Sequence, residues 1–368
     1  MKERKISWIE LFYDLIFVVG ISRTTHWLYE IEDTHYQSSI IILKYLLMVI
    51  PMLWAWTGQT MFCNRFGENE KYSRVLMLIQ IFFVILMVAS FNLDFDATYF
   101  TFIIGYLGIR TMTIIQYLLA FYLSGDRAKR SMIYSLLGGM IISILVIASS
   151  LFFTGVIRYV ILFSGIVLDI IFPLIKNNPL KKSFIDLPHL IERLALLCMI
   201  TFGEAIVSIV LTLQQNLDNV NTFIYIVIAL IALISMWNNY FNQIDVVIDK
   251  TQQTNGQVVL YSNLLIAMSI MIFAAGIGMG YHEKLPVVFI SLALIISFSF
   301  FILLKHLIFN YHRKEEFSFQ HKILIYVVLM LITLTILTTI FNIEPIFVLA
   351  VLAIISLFDT RKVYLKTN

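Results

Sequence analysis

Apolar residues in this chain come in runs of about twenty, the length a helix needs to cross a bilayer, with short charged loops between them. The runs predict twelve spans, at 7–31, 38–62, 72–91, 97–123, 131–152, 155–175, 188–214, 221–248, 257–281, 286–309, 322–341 and 345–360. Only Phe153-Thr154-Gly155 separates the fifth from the sixth, and the last is short. Two runs break the apolar pattern. The first, Ser7-Trp8-Ile9-Glu10-Leu11-Phe12-Tyr13-Asp14 onward through Arg23 to His26, holds two carboxylates one helical turn apart and an arginine. The seventh makes the same choice, in Pro188-His189-Leu190-Ile191-Glu192-Arg193 through Gly203-Glu204. Charge inside a span is expensive and marks a place to look for function.

Composition agrees with the pattern. Of 368 residues, 60% are hydrophobic and 13% charged, and mean hydropathy is +0.88, which sets the chain apart from soluble proteins. The fold class expected is an all-α polytopic membrane protein. A net charge of +3 gives no ground for a nucleic-acid partner. Cys63 and Cys198 lie far apart, in or beside apolar spans, so neither a disulfide framework nor a cysteine metal site is indicated. The first run lacks a small-residue cleavage site and reads as a retained span rather than a signal peptide.

The basic residues supply orientation. With the N-terminus inside, Lys2, Arg4, Lys5, Arg65, Lys71, Arg74, Arg127, Lys129, Arg130, Lys176, Lys181, Lys182, Lys250, Arg313, Lys314, Lys322, Arg361, Lys362 and Lys366 are cytoplasmic, and only Arg158 and Lys284 fall outside. Under the positive-inside rule both termini are cytoplasmic. The longest linker, Lys176-Asn177-Asn178-Pro179-Leu180-Lys181-Lys182-Ser183, divides the spans six and six. The expected domains are therefore residues 1–180 and 181–368, each a six-helix repeat. At a shift of about 182 residues Glu10 meets Glu192, Gly20 meets Gly203 and Trp54 meets Trp237. An even number of spans per half makes the repeats parallel, and transporters of that kind bind substrate between the halves.

At these residues the chain resembles the bacterial low temperature requirement A family. The motifs that carry the likeness are Trp8-Ile9-Glu10-Leu11-Phe12-Tyr13-Asp14-Leu15-Ile16-Phe17-Val18, then Trp54-Ala55-Trp56 with Asn64-Arg65-Phe66, then His189-Leu190-Ile191-Glu192-Arg193 with Gly203-Glu204. It departs at Tyr13, usually phenylalanine in the family, and at Leu194-Ala195, where an aromatic or leucine followed by glycine is common. The resemblance implies a polytopic bacterial inner-membrane protein that supports growth in the cold, with no settled molecular activity. A fainter likeness, carried by Phe12-Tyr13-Asp14, is to a potassium channel family built from two six-helix repeats. That family's arginine and serine are missing here.

The charged positions have competing explanations. Ser7 and Glu10 fit a capping box, and Asp186 fits the cap of the seventh span, with Pro188 in its first turn. Asp14 lies about 10 Å, and Glu204 roughly 25 Å, along their helices, where a carboxylate needs a cation, a proton or a wet cavity. Either they handle a proton or cation, or they form buried ion pairs with Arg110, Arg193 or Arg23. Arg110 pairs with a carboxylate such as Asp169 or binds an anionic substrate. Lys44, Asp245 and Lys305 are expected to snorkel from span ends. His189 and Glu192 share a helical face but are too few for a metal. Trp54, Trp56 and Trp237 are candidates to line a cavity. Gly276 and Gly280 have GxxxG spacing, which suits close helix packing, and Gly203 would admit a neighbouring backbone. Pro51 and Pro173 fall within spans.

No phosphate-binding glycine loop, nucleophile elbow or zinc-protease motif is present, so neither an enzyme nor a cofactor is expected. The reading is a multi-pass transporter-like protein that moves a small solute or ion, with Glu10, Asp14, Arg110, His189, Glu192, Arg193, Glu204, Trp54 and Trp237 as candidate binding residues. Its expected partners are membrane lipids and that solute or ion, protons included, and the sequence is compatible with an oligomer. The alternatives are an ion channel of two six-helix repeats and a lipid-interacting or structural protein that moves nothing.

Overall fold

The computed structural model describes residues 6–29, 38–67, 71–92, 94–175, 185–215, 219–282, 285–362 and 364–366. They form α1 (Trp8–Tyr29), α2 (Ser38–Phe66), α3 (Lys71–Ala89), α4 (Phe95–Leu123), α5 (Arg127–Ser149), α6 (Gly155–Ile175), α7 (Leu187–Gln215), α8 (Val220–Val246), α9 (Gln257–His282), α10 (Val287–Tyr311), α11 (His321–Phe341) and α12 (Pro345–Lys362). Ten of these helices are long and apolar enough to cross a membrane. The other two are α1, which carries Glu10, Asp14 and Arg23, and the shorter α12. The chain is an all-α polytopic membrane protein. The linker 176–183, on which the division at 180/181 falls, lies outside the described residues.

The chain divides into two compact units. The first comprises Met1–Thr24, Ser38–Arg193 and Gln253–Gln257. Within it α3 packs on α4 and α5 on α6, while α2 touches α3, α4 and α6. Burial identifies the central helix: 78% of the apolar stretch of α2 is inside, against 22% for α6. A short 3-10 turn, Ser150–Phe152, closes α5, and Gly155 opens α6 with φ of +64°, a left-handed value that glycine adopts without strain.

The second unit comprises Thr25–Gln37, Leu194–Gln252 and Val258–Asn368. Its most enclosed helix is α9, again with 78% of the stretch buried. Gly276 explains part of that, because a Cβ there would sit 2.8 Å from Leu294 Cδ2 of α10; the GxxxG pair does mark close packing. By contrast, nothing lies within 4 Å of a Cβ built on Gly203, so the expected close approach beside it is not there. Helix α12 packs along α8 and also touches α10 and α11. A two-stranded antiparallel pair, β1 (Phe317–Phe319) with β2 (Tyr364–Lys366), joins the α10–α11 loop to the C-terminal segment. The hydropathy pattern gave no sign of it.

Candidate functional site

Two buried polar clusters in the first unit are arranged around opposite faces of α2. Residues two apart on a helix point about 200° apart. Trp54 and Trp56 therefore face opposite ways, and each indole N–H finds a carboxylate. Trp54 Nε1 donates to Asp169 Oδ2 at 2.9 Å, and Trp56 Nε1 to Asp14 Oδ1 at 2.7 Å.

On the Trp54 side, Arg110 of α4 pairs with Asp169 of α6 (Nη2 to Oδ2 2.6 Å and to Oδ1 2.7 Å), with side chains 2% and 3% exposed. Tyr106 also donates to Asp169, at 3.4 Å. Gly58, one turn after Trp54, makes room for the guanidinium: a Cβ there would meet Arg110 Nη1 at 2.5 Å. Of the two roles open to Arg110 in the sequence, ion pairing is the one the geometry shows.

On the Trp56 side, α1 and the start of α7 supply the charges. Arg193 spans two carboxylates: Nη1 donates to Glu10 Oε2, and Nη2 to Asp14 Oδ1 at 2.5 Å. Its guanidinium also lies over the Trp56 ring, 5.4 Å from the centroid. Glu10 serves twice. Its Oε1 accepts from the Ser7 hydroxyl (3.1 Å) and amide (3.4 Å) in the capping box, while Oε2 faces Arg193 and His189. Asp186 caps α7 through the His189 amide, at 3.2 Å.

Asn64, at the end of α2, orients the His189 ring. Its Oδ1 accepts from Asp186 N (3.1 Å) and its Nδ2 donates to Asp186 O (2.7 Å), which sets the amide's orientation. The same Nδ2 lies 3.3 Å from His189 Nδ1, and an amide nitrogen only donates. Nδ1 is therefore the acceptor and Nε2 carries the hydrogen, 3.4 Å from Glu10 Oε2.

Other candidates lie elsewhere. Glu192 is exposed, because the cluster takes the His189–Arg193 edge of α7 and Glu192 sits about 100° from Arg193. Trp237 is 41% exposed and packs on Phe241, with centroids 5.4 Å apart, instead of lining a polar site. Glu204 is buried, 5% exposed, in the second unit. Arg23 donates to the Phe91 carbonyl at 3.2 Å rather than to a carboxylate. Lys44 stands 5.4 Å from the Phe95 ring centroid, and Asp245 is exposed beside Lys250. Among the described residues no three His, Cys, Asp or Glu side chains are grouped to hold a metal.

Lys305 corrects the snorkelling expectation. It is fully buried in the second unit and ion-pairs with Asp359 of α12. Asn239 of α8 donates to the same carboxylate at 3.0 Å and accepts from Lys305 at 2.5 Å, while His306 Nε2 lies 2.6 Å from Asp359 Oδ1. Nothing in the sequence singles out Asp359, which lies close to the end of its apolar run.

A cleft of about 740 Å³ also belongs to the second unit, at the joined ends of α8, α9, α10 and α12, with Asn221, Tyr225, Tyr281, Glu344 and Phe347 in its wall.

Comparison with known proteins adds the family. An uncharacterized protein of Rhizobium meliloti (strain 1021) is 25% identical over 252 residues, covering 65% of this chain and 59% of the relative's length. No solved structure matches. The family model described as bacterial low temperature requirement A protein matches residues 5–356. That span takes in both clusters of the first unit and all but the last few residues of α12, and the chain belongs to the bacterial low temperature requirement A (LtrA) family.

Proposed function

We propose that this protein is a transporter-like carrier of the bacterial plasma membrane. In this reading it has twelve spans in two parallel six-helix repeats and cytoplasmic termini, and it moves a small solute or ion using buried carboxylates as proton or cation sites. One observation carries the reading: Glu10 and Asp14 of α1, 0% and 4% exposed, share the single guanidinium of Arg193. At 22 residues, α1 is about 33 Å long, enough to cross a bilayer. Buried carboxylates in a helix that spans a bilayer are uncommon outside ion and proton pathways.

The repeat has support of its own. Cation, carboxylate and hydrogen-bond donor come from the fourth, sixth and second helices of the first half (Arg110, Asp169, Trp54). Lys305, Asp359 and Asn239 come from the corresponding helices of the second. The likeness is by helix, since Asn239 rather than Trp237 provides the second donor. Lipids and the solute or ion are the partners, and the reading assigns no catalysis.

The second reading is a brace that moves nothing. It is favoured by the way Asn64 clamps the Asp186 backbone and Arg193 ties α7 to α1. Proteoliposomes with an interior pH dye and an imposed potassium diffusion potential separate the two. Carrier function predicts proton flux that Asp14→Asn abolishes while the variant still purifies folded. A brace predicts equal flux with and without protein, and an Asp14→Asn variant that unfolds at lower temperature.

A further inference from the structure

We infer that Asp14 is a single-proton site: in the folded protein its Oδ2 holds one exchangeable proton. The two carboxylates beside Arg193 are not equivalent. Both oxygens of Glu10 face donors: Ser7 N–H and O–H at Oε1, Arg193 and His189 at Oε2. Asp14 is lopsided. Its Oδ1 accepts from Trp56 and Arg193, while Oδ2 is buried with no hydrogen-bond partner among the described residues.

Burying a carboxylate oxygen without a donor costs far more in the ionised form than in the neutral one, because charge loses the most on leaving water. Asp14 has only a share of Arg193 to offset that cost. The other titratable groups around it supply no second cation. These are Glu10 and Tyr13 on α1, Cys63 on α2 and His189 on α7, whose Nδ1 faces the Asn64 amide nitrogen. On α4, Arg110 is already matched by Asp169, and Arg65 of α2 bonds to Tyr117. A proton is the smallest species that neutralises Oδ2, and placing it there breaks none of the contacts at Oδ1. The step is one protonation: carboxylate plus H⁺ gives the acid, and release reverses it.

This deepens the carrier reading by naming the coupling ion, and its test is separate from flux. Infrared spectra of the purified full chain in lipid at neutral pH should show a carboxylic-acid C=O band. The band should shift in D2O, disappear in Asp14→Asn and persist in Glu204→Gln. If Asp14→Asn does not fold, Trp56→Phe decides, since loss of the indole donor at Oδ1 should move the band. No difference between the wild type and folded Asp14→Asn, or an unmoved band in Trp56→Phe, overturns the inference. So does loss of the band at fixed pH in saturating NaCl or KCl, which would make Oδ2 a metal-cation ligand. A band without proton flux keeps the site and removes the carrier; flux without a band removes the site alone.

Discussion

At the level of single residues, the buried charges matter most through what each would leave behind. Replacing Arg193 with alanine removes the cation that Glu10 and Asp14 share. Breaking a buried pair in this way typically costs about 3–5 kcal/mol, which should appear as a large drop in thermal stability in detergent. Gly58→Ala should also destabilise, by about 1–3 kcal/mol as an overpacking change, because its Cβ would meet the Arg110 guanidinium; an Arg110→Lys background, with a slimmer head group, should recover part of the loss. Sequence reasoning reached many of these residues from elementary rules. Ser7–Glu10 and Asp186 were readable as caps, and Arg110 with Asp169 as a pair, because a deeply placed cation needs a carboxylate. For Glu192 and Trp237, both exposed, neither a shared motif nor the alignment of the two halves carries information about which way a side chain faces.

At the level of elements, the α8–α9 loop and the end of α10 form a small titrating unit outside the spans. Asp249 N donates to the His312 carbonyl at 2.7 Å, and His312 Nδ1 meets Gln252 Oε1 at 2.9 Å. Burial lowers the His312 imidazole below its ordinary value, against the opposing pull of Asp249. Hydrogen bonds from the Thr251 side chain and amide lower the Asp249 carboxyl. Both groups bind fewer protons folded than unfolded, so both stabilise at higher pH. The histidine contribution is full above its unfolded value near 6.5 and is lost as pH falls through the lower folded value. The aspartate contribution is lost similarly below about 3.9. Protection of the amides in residues 247–252, measured relative to their intrinsic exchange rate at each pH, should therefore fall as pH drops from 7 to 5, and His312→Gln should flatten that dependence. The ten long apolar helices were legible because hydropathy and length mark them. The β1–β2 pair was not, since three-residue strands in charged loops leave no periodic trace.

At the level of the whole molecule, each of the two units buries a cation–carboxylate–donor triad, on α2, α4 and α6 in the first and on α8, α10 and α12 in the second. In each, removing one charge should cost far more than removing both. A double-mutant cycle on Lys305→Met and Asp359→Leu should show strong coupling, with the double variant more stable than either single one. Additive losses would mean the pair does not interact as described. The second triad was illegible in the sequence because Lys305 and Asp359 sit near span ends, where a long side chain ordinarily escapes to the headgroups. Its burial depends on packing among α8, α10 and α12, and hydropathy carries no information about that.

Trp54 and Trp56 ride on one stiff rod, and only Ala55 separates them. Any twist of α2 about its axis that pulls one indole from its acid must pull the other from its own, although the two acids share no ligand. Loosening of Asp14 and loosening of Asp169 thereby become a single mechanical event, transmitted by backbone rigidity rather than by a relay of side chains.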